Sequence, residues 1–255
     1  MLEQVSARVW VTTSPTWLTT SSVVVADDGA CLLVDPALTP ADLVSLQGEL
    51  TGRGWHVAAA FSTHPHWDHV LWSEALPDVP RWATPGAAVA STDEELAAQA
   101  ARDLPGHRWD VVGGTTPLPP DTTELPWTGL RAAVVATPGH APGHASLHLP
   151  GEGVLVAGDM LSDVEVPLLD DDDDAVDAYR RSLQRLADVV ASCDVVVPGH
   201  GRVADGAEAS RRIDADHRYL DDLTAGVDPL DARLGEPRVR AEHVAQAARL
   251  GAERR

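Results

Sequence analysis

Six consecutive residues, His64-Pro65-His66-Trp67-Asp68-His69, constrain this chain more than any other stretch, because four of them carry good ligands for first-row metals. They follow a short apolar run, Val57 to Phe61, that reads as a strand. In an extended loop, side chains at i and i+2 point the same way, so His64 and His66 can grip one ion. Asp68 and His69 lie a little further along and can turn toward a second. One short motif thus starts two adjacent sites. The competing reading, a polar loop that is merely histidine-rich, is disfavoured because three downstream segments supply the missing ligands.

Those segments are Thr137-Pro138-Gly139-His140, Ala157-Gly158-Asp159 and Pro198-Gly199-His200. Each sets one His or Asp directly after an apolar run: Ala132 to Ala136, Val154 to Ala157, and Val195 to Val197. Glycine and proline beside each ligand mark sharp strand-end turns where the backbone passes close to something. Ligands that converge from several strand ends are how a rigid scaffold builds a metal site. On the His64/His66/Asp68/His69 motif followed by His140, Asp159 and His200 in that order, the sequence resembles the metallo-β-lactamase-fold hydrolase superfamily. The resemblance covers roughly residues 5 to 205.

Charge narrows the choice of substrate. The chain has 255 residues, a net charge of −20 and 19 basic residues, all arginine. Binding a phosphate backbone needs clustered cations, and these arginines are scattered or in short pairs such as Arg180-Arg181. A nucleic-acid substrate is therefore not expected, and a small molecule is. No apolar run approaches the ~20 residues that span a bilayer, and Met1 to Asp28 lacks a basic leader with an apolar core, so no signal peptide and no membrane association are expected. Cys31 and Cys193 lie in or beside strand-like runs and read as buried free thiols, which suits a reducing, cytoplasmic location.

Residues 7–13, 18–26 and 30–34 read as opening strands, with Asp27-Asp28-Gly29 as a hairpin turn. Thr39 caps a helix that begins at Pro40 and shows Leu43, Leu46 and Leu50 on one side. Residues 85–103 read as helical, 104–128 as a proline- and glycine-rich connector with weak strand signals, 130–136 as a strand, and 145–149 with 153–157 as a hairpin. A helix over 174–191 follows, then the strand 194–197 and helices near 207–225 and 239–250. This order predicts a layered α/β protein, one domain over 1–255 with C-terminal helices from about 207. The resemblance implies the particular topology, a four-layer αββα sandwich with the site at the edge between two sheets.

Carried over residue by residue, the resemblance assigns His64, His66 and His140 to one metal, and Asp68, His69 and His200 to the other, with Asp159 bridging. It implies a metal-dependent hydrolase with two divalent ions, zinc first and iron or manganese as alternatives. The nucleophile would be a hydroxide shared by the ions, attacking an ester, lactone or thioester, with Asp68 as the catalytic residue that steers it or moves its proton. True zinc β-lactamases differ by placing cysteine at a second-site position or lacking the bridging aspartate. Flavo-diiron relatives carry an acidic residue where this chain has His66. Glyoxalase II relatives add a helical tail with basic glutathione contacts, whereas this tail carries Asp214, Asp216, Asp221 and Asp222. Acyl-homoserine lactonases share the Thr-Pro-Gly-His-x-Pro-Gly-His string but place tyrosine where this chain has Ser162. A quorum-quenching lactonase and a non-hydrolytic metal-binding or redox protein remain as alternatives.

Several residues admit two readings. His144 is either an outer-shell or substrate-contacting group, or a cap on the next strand. Trp10, Trp17, Trp67 and Trp72 form a pocket wall or pack in the core, with core packing expected for any one of them. His56, His107, His148, His217 and His243 have no motif partner and read as structural or surface residues. The run Asp170 to Asp174 reads as a solvated loop opening the next helix, or as a gate acting on charged substrates.

Overall fold

The structure is a computed structural model that describes residues 1–253 except 37–38, 93, 105–113 and 173. The reading of His107 lies outside the described residues. Seven strands form the first sheet, in the order β1 (Glu3–Ser6), β2 (Val9–Thr13), β3 (Thr20–Val25), β4 (Ala30–Val34), β5 (His56–Phe61), β6 (Arg81–Ala83) and β7 (Thr116–Pro117). The first four run antiparallel and the last four parallel. The second sheet has the spatial order β11 (Val195–Pro198), β10 (Val154–Gly158), β9 (Ala145–Leu149) and β8 (Ala133–Ala136).

Alternation along the strands explains the layering. In β4, Leu32 and Val34 face inward and meet Leu147, Leu149, Val154 and Val156 of the second sheet. Cys31 and Leu33 face outward, against Leu43, Leu46 and Leu50 of α1 (Pro40–Gly52). On the far side, Leu155 and Val196 pack against α4 (Ala175–Val190) and α5 (Gly206–Ala225) through Leu183, Leu186, Ile213 and Leu220. Strands covered on both faces carry near-continuous apolar sequence, which is why β4 reads Ala-Cys-Leu-Leu-Val and is buried throughout. Each such side chain contributes about 1.5–3 kcal/mol on burial. Helix, sheet, sheet, helix is the four-layer αββα sandwich.

Several boundaries differ from the sequence reading. The helix expected over 85–103 is two, α2 (Pro85–Ala90) and α3 (Glu94–Asp103). The edge strands β1 and β7 and the inner strand β6 are not resolved as separate strands by the sequence reading; each is two to four residues long, too short to show a period. The last helix, α6, covers Pro237–Glu253.

Parallel pairing places the site. Strand β4 is parallel to β5 and β10 to β11, while β8 reaches the same direction as β10 through two antiparallel steps. Their C-terminal ends therefore share one edge. There the sheets are joined by Thr20 N–H donating to Gly199 O at 2.7 Å and Ala145 N–H donating to Thr63 O at 2.9 Å.

Candidate metal centre

All seven residues singled out in the sequence meet at this edge. The chain bends at Thr63 and His64 on leaving β5 and is extended at His66, and the ring centroids of His64 and His66 lie 4.6 Å apart. A single 3₁₀ turn, Trp67–His69, then swings Asp68 and His69 back under them. Gly158 holds a left-handed conformation (φ +61°), and a Cβ there would strike the His144 ring. A Cβ on Gly199 would strike Asp159 Oδ1. These glycines let two strand ends approach within a side-chain diameter.

The donors fall into two groups around one carboxylate. In the first, His64 Nε2 lies 3.1 Å and His140 Nε2 3.3 Å from His66 Nδ1. Asp159 Oδ2 stands 3.3 Å from His64 Nε2 and 3.4 Å from His140 Nε2. In the second, His69 Nε2 and His200 Nε2 are 3.3 Å apart, and Asp68 Oδ2 is 3.3 Å from His200 and 3.7 Å from His69. Asp159 reaches this group too, with Oδ1 3.1 Å from His69 Nε2 and Oδ2 3.4 Å from His200 Nε2.

These spacings fit divalent cations. Ligands at ~2.0–2.1 Å from a tetrahedral ion lie about 3.3 Å from one another, which is the separation most of these pairs show. Asp159 Oδ1 is buried and no donor meets it in hydrogen-bonding geometry, an arrangement that costs free energy unless a cation sits there.

The outer partners fix the ring orientations. Thr63 Oγ1–H donates to Asp35 Oδ2 at 2.6 Å, so the 2.9 Å contact between Thr63 Oγ1 and His64 Nδ1 has the imidazole N–H donating. Carboxylate and carbonyl oxygens only accept, so His69 Nδ1–H donates to Asp35 Oδ2 at 3.0 Å, His140 Nδ1–H to Leu168 O at 3.0 Å and His200 Nδ1–H to Trp17 O at 3.1 Å. Four rings thereby turn Nε2 inward, the arrangement by which metal-ligating histidines are oriented. Asp35 supports one ring of each group. It sits directly after β4 at φ +47°, is buried, and also accepts Thr63 N–H at 2.8 Å. Sequence reasoning missed it, although an acid directly after a buried strand is the same signal that marked Asp159.

Electrostatics separates the groups. Burial first, then the charge of His69, holds His64 well below its ordinary value. Burial and His140 bring His66 to about 4. Burial would lower His69 and His200 as well, but Asp159 and further carboxylates overcome it and raise both well above the ordinary value. Burial raises Asp68, yet His69 and His200 bring it down to about 2.

His144 takes the outer role. Its Nε2 accepts Asp159 N–H at 3.2 Å while Nδ1 faces Thr137 O at 3.0 Å, and burial with His140 lowers it to about 3. It is a neutral ring behind the Asp159 carboxylate. Ser162 turns away from the site: its hydroxyl donates to His200 O at 2.8 Å and accepts Val164 and Glu165 N–H.

A cavity of about 300 Å³ opens over the cluster, walled by Trp17, Trp67, Glu165, Leu168, Arg238 and Glu242, with Gln99 and Asp103 at α3. Trp17 and Trp67 thus serve as pocket wall. Trp72 packs in the outer core, and Trp10 packs against Trp55 at 4.5 Å. Glu165, Arg238 and Glu242 were not anticipated. They follow no strand-end pattern, and the last two come from α6. A larger open hollow, about 500 Å³ over α5, contains none of the seven residues. His243 is buried against Tyr219 at 2.9 Å, a structural role. Among the described residues no helix is long and apolar enough to cross a membrane.

The histidine- and aspartate-built cluster at the edge between two sheets, beneath a cavity of about 300 Å³, is a candidate metal centre. Residues 15–200 match the family model of the Metallo-beta-lactamase superfamily. The chain belongs to that superfamily. A hydroxyacylglutathione hydrolase of Ruegeria pomeroyi is 28% identical over 216 residues, covering 84% of this chain and 74% of the relative. Another of Brucella anthropi is 31% identical over 142 residues, covering 53% of this chain, which spans about half (48%) of that relative's length. The crystal structure of TTHA1623 in a di-iron-bound form shares 27% identity with a TM-score of 0.57, over 79% of this chain and 97% of that one.

Proposed function

We propose that this protein hydrolyses an ester-like bond (ester, lactone or thioester) in a small molecule, using two divalent ions held by His64, His66 and His140 on one side, Asp68, His69 and His200 on the other, and Asp159 between. The observation that carries this reading is the spacing of six inward-facing donors in two groups about one carboxylate, Asp159. The metal is assigned as zinc, which suits imidazole and carboxylate; the di-iron relative makes iron the second choice. Such ions supply Lewis-acid polarisation of the carbonyl and acidify a coordinated water to a pKa near ~7.

The chain's own residues do the rest. Asp68, brought to about 2 by His69 and His200, stays ionised across neutral pH, so its carboxylate accepts a hydrogen bond from the attacking water and orients it. Trp17 and Trp67, packed edge to face at 5.3 Å, wall the cavity and limit water. The relatives named for hydroxyacylglutathione favour the thioester among the three bonds. No tyrosine takes the position of Ser162, whose hydroxyl is bound to the His200 carbonyl, so the lactonase reading has no support at that position. Assay of the metal-loaded protein against lactones, aryl esters and thioesters, with metal content measured on the same sample, tests the proposal. Turnover of at least one class that disappears with chelation and returns with zinc or iron is expected; no turnover of any class by a fully loaded protein contradicts it.

A further inference from the structure

The loops that carry Asp159 and His200 are held from behind by two buried arginines. Arg212, in α5, is 7% exposed at its side chain, and Arg233, in the 3₁₀ turn Ala232–Gly235, is 8% exposed. Both lie beyond residues 15–200, so the span that matches the family model does not contain them. Arg212 Nη1 donates to Leu161 O at 3.1 Å, in the loop after β10, and to Arg202 O at 2.9 Å, in the loop after β11. One guanidinium nitrogen thus ties the Asp159 loop to the His200 loop. Arg233 Nη1 donates to Ser162 O at 3.1 Å and to Glu165 O at 2.8 Å, which curls the first loop back on itself. Ser162 Oγ–H in turn donates to His200 O at 2.8 Å.

Both loops adopt backbone that needs such support. Leu161 is buried and left-handed at φ +61°, a conformation its side chain disfavours. Gly201 lies at φ +107°, and a Cβ there would strike Asp163 Oδ1, the atom that accepts Arg202 N–H at 2.8 Å. Strain of this kind persists only where the surroundings over-determine it. The arginine charges are already balanced: Glu208 lies 3.1 Å from Arg212, and Asp216 and Asp231 lie 2.7 and 2.8 Å from Arg233. What each guanidinium adds is a rigid fork of donors that reaches carbonyls and carboxylates together. Lysine keeps the charge but offers its donors from a single point.

We infer that Arg212 and Arg233 are positioning residues that fix the separation of Asp159 and His200, and thereby the affinity of the second donor group for its ion. This rests on the two-ion reading and deepens it, because the C-terminal helices then govern one half of the cluster and not the other. His64, His66 and His140 come from other loops, and among the described residues neither arginine donates to those.

Cobalt titration of the full chain, followed by absorbance and by competition with a chelator, reads the two groups separately. The step missing in His200→Ala marks the second group. R212K and R233K are each expected to weaken that step by about tenfold, the lower end of the loss on removing an outer partner. Its absorbance band should shift as well, while the other step keeps its wild-type affinity. R211K, in the neighbouring arginine that bonds Glu208, should leave both steps unchanged. S162A removes only the link to His200 O and should weaken the same step to a smaller degree; it decides the matter if a lysine variant does not fold. Amide exchange without metal gives a readout free of the ions. Glu165 and Arg202 N–H, bonded to Ser162 Oγ and Asp163 Oδ1, should exchange faster in R212K and R233K, with β4 at its wild-type rate. An unchanged second step, equal weakening of both steps, unchanged exchange at Glu165 and Arg202, or faster exchange in β4 as well each overturns the inference. A wild type that takes a single ion contradicts the two-ion reading; the inference is then decided by whether the step lost in His200→Ala is the one weakened, and fails if His200→Ala loses none.

Discussion

The two halves of the histidine–aspartate cluster share one carboxylate, Asp159, that reaches both, and a supporting Asp35, yet they are electrostatic opposites. The His64, His66, His140 half has three imidazoles, of which His64 and His66 are held below their ordinary values by burial and by neighbouring rings. The half formed by Asp68, His69 and His200 is acid-rich, and its two imidazoles are held above theirs by Asp159 and further carboxylates. Without metal, the first half therefore presents open lone pairs, while the second holds protons that an incoming cation must displace. Assembly follows from this difference: the first half is poised to bind, and the second is poised to exchange protons for charge.

The largest expected effect breaks the second half chemically without emptying it. Asp68→Asn keeps the shape and one oxygen but removes the charge that orients water. Turnover should fall by on the order of 10²–10⁴ while most of the metal remains. Complete loss of one ion would make Asp68 a structural ligand first, and wild-type turnover would make it dispensable.

Asp35→Asn attacks the support the halves share. Losing an outer partner of this kind lowers metal affinity by ~10–100-fold. The loss should be greater for the second half, because Asp35 holds His69 directly at 3.0 Å and His64 only through Thr63. Competition with a chelator of known affinity reads both steps. Wild-type affinity in the variant would show that the rings are positioned by packing alone.

Acid should separate the halves. His64 and His66 stay neutral well below their ordinary pH range, whereas His69 and His200 compete for protons already above it. As pH falls, the second half is expected to release its metal first, with the first half following at lower pH. Cobalt substitution followed by absorbance would resolve the two steps. Simultaneous loss, or the reverse order, would break the comparison.

The smallest effect belongs to His144. His144→Ala removes the acceptor for Asp159 N–H, leaving that buried donor unmet at a cost of ~1–3 kcal/mol. A lower melting temperature is expected, with stoichiometry preserved. Loss of an ion would make His144 part of the centre itself.

Sequence reached the cluster floor more completely than the walls, and the reason is physical. His64, His140, Asp159 and His200 each follow an apolar strand, so a local pattern of apolar run, turn and donor marks them. Asp35 obeys the same pattern but lacks a flanking glycine and stands alone. Glu165, Arg238 and Glu242 reach the cavity through tertiary packing of α6 on the loop after β10, where Gln246 also donates to Pro167 O at 2.9 Å. No spacing along the chain encodes that contact. The layers were legible from alternation and strand–helix order, whereas the pairing of the sheets was not, because the seam is carried by Thr20 with Gly199 and Ala145 with Thr63, partners far apart in sequence.

If Asp159 joins two metal-binding groups, the centre holds two ions. Metal analysis of the wild type after saturation and removal of excess metal tests it most directly, with His140→Ala and His200→Ala prepared alongside. About two ions per chain are expected in the wild type, and loss of at least one in each variant. A single ion in the saturated wild type would contradict the account.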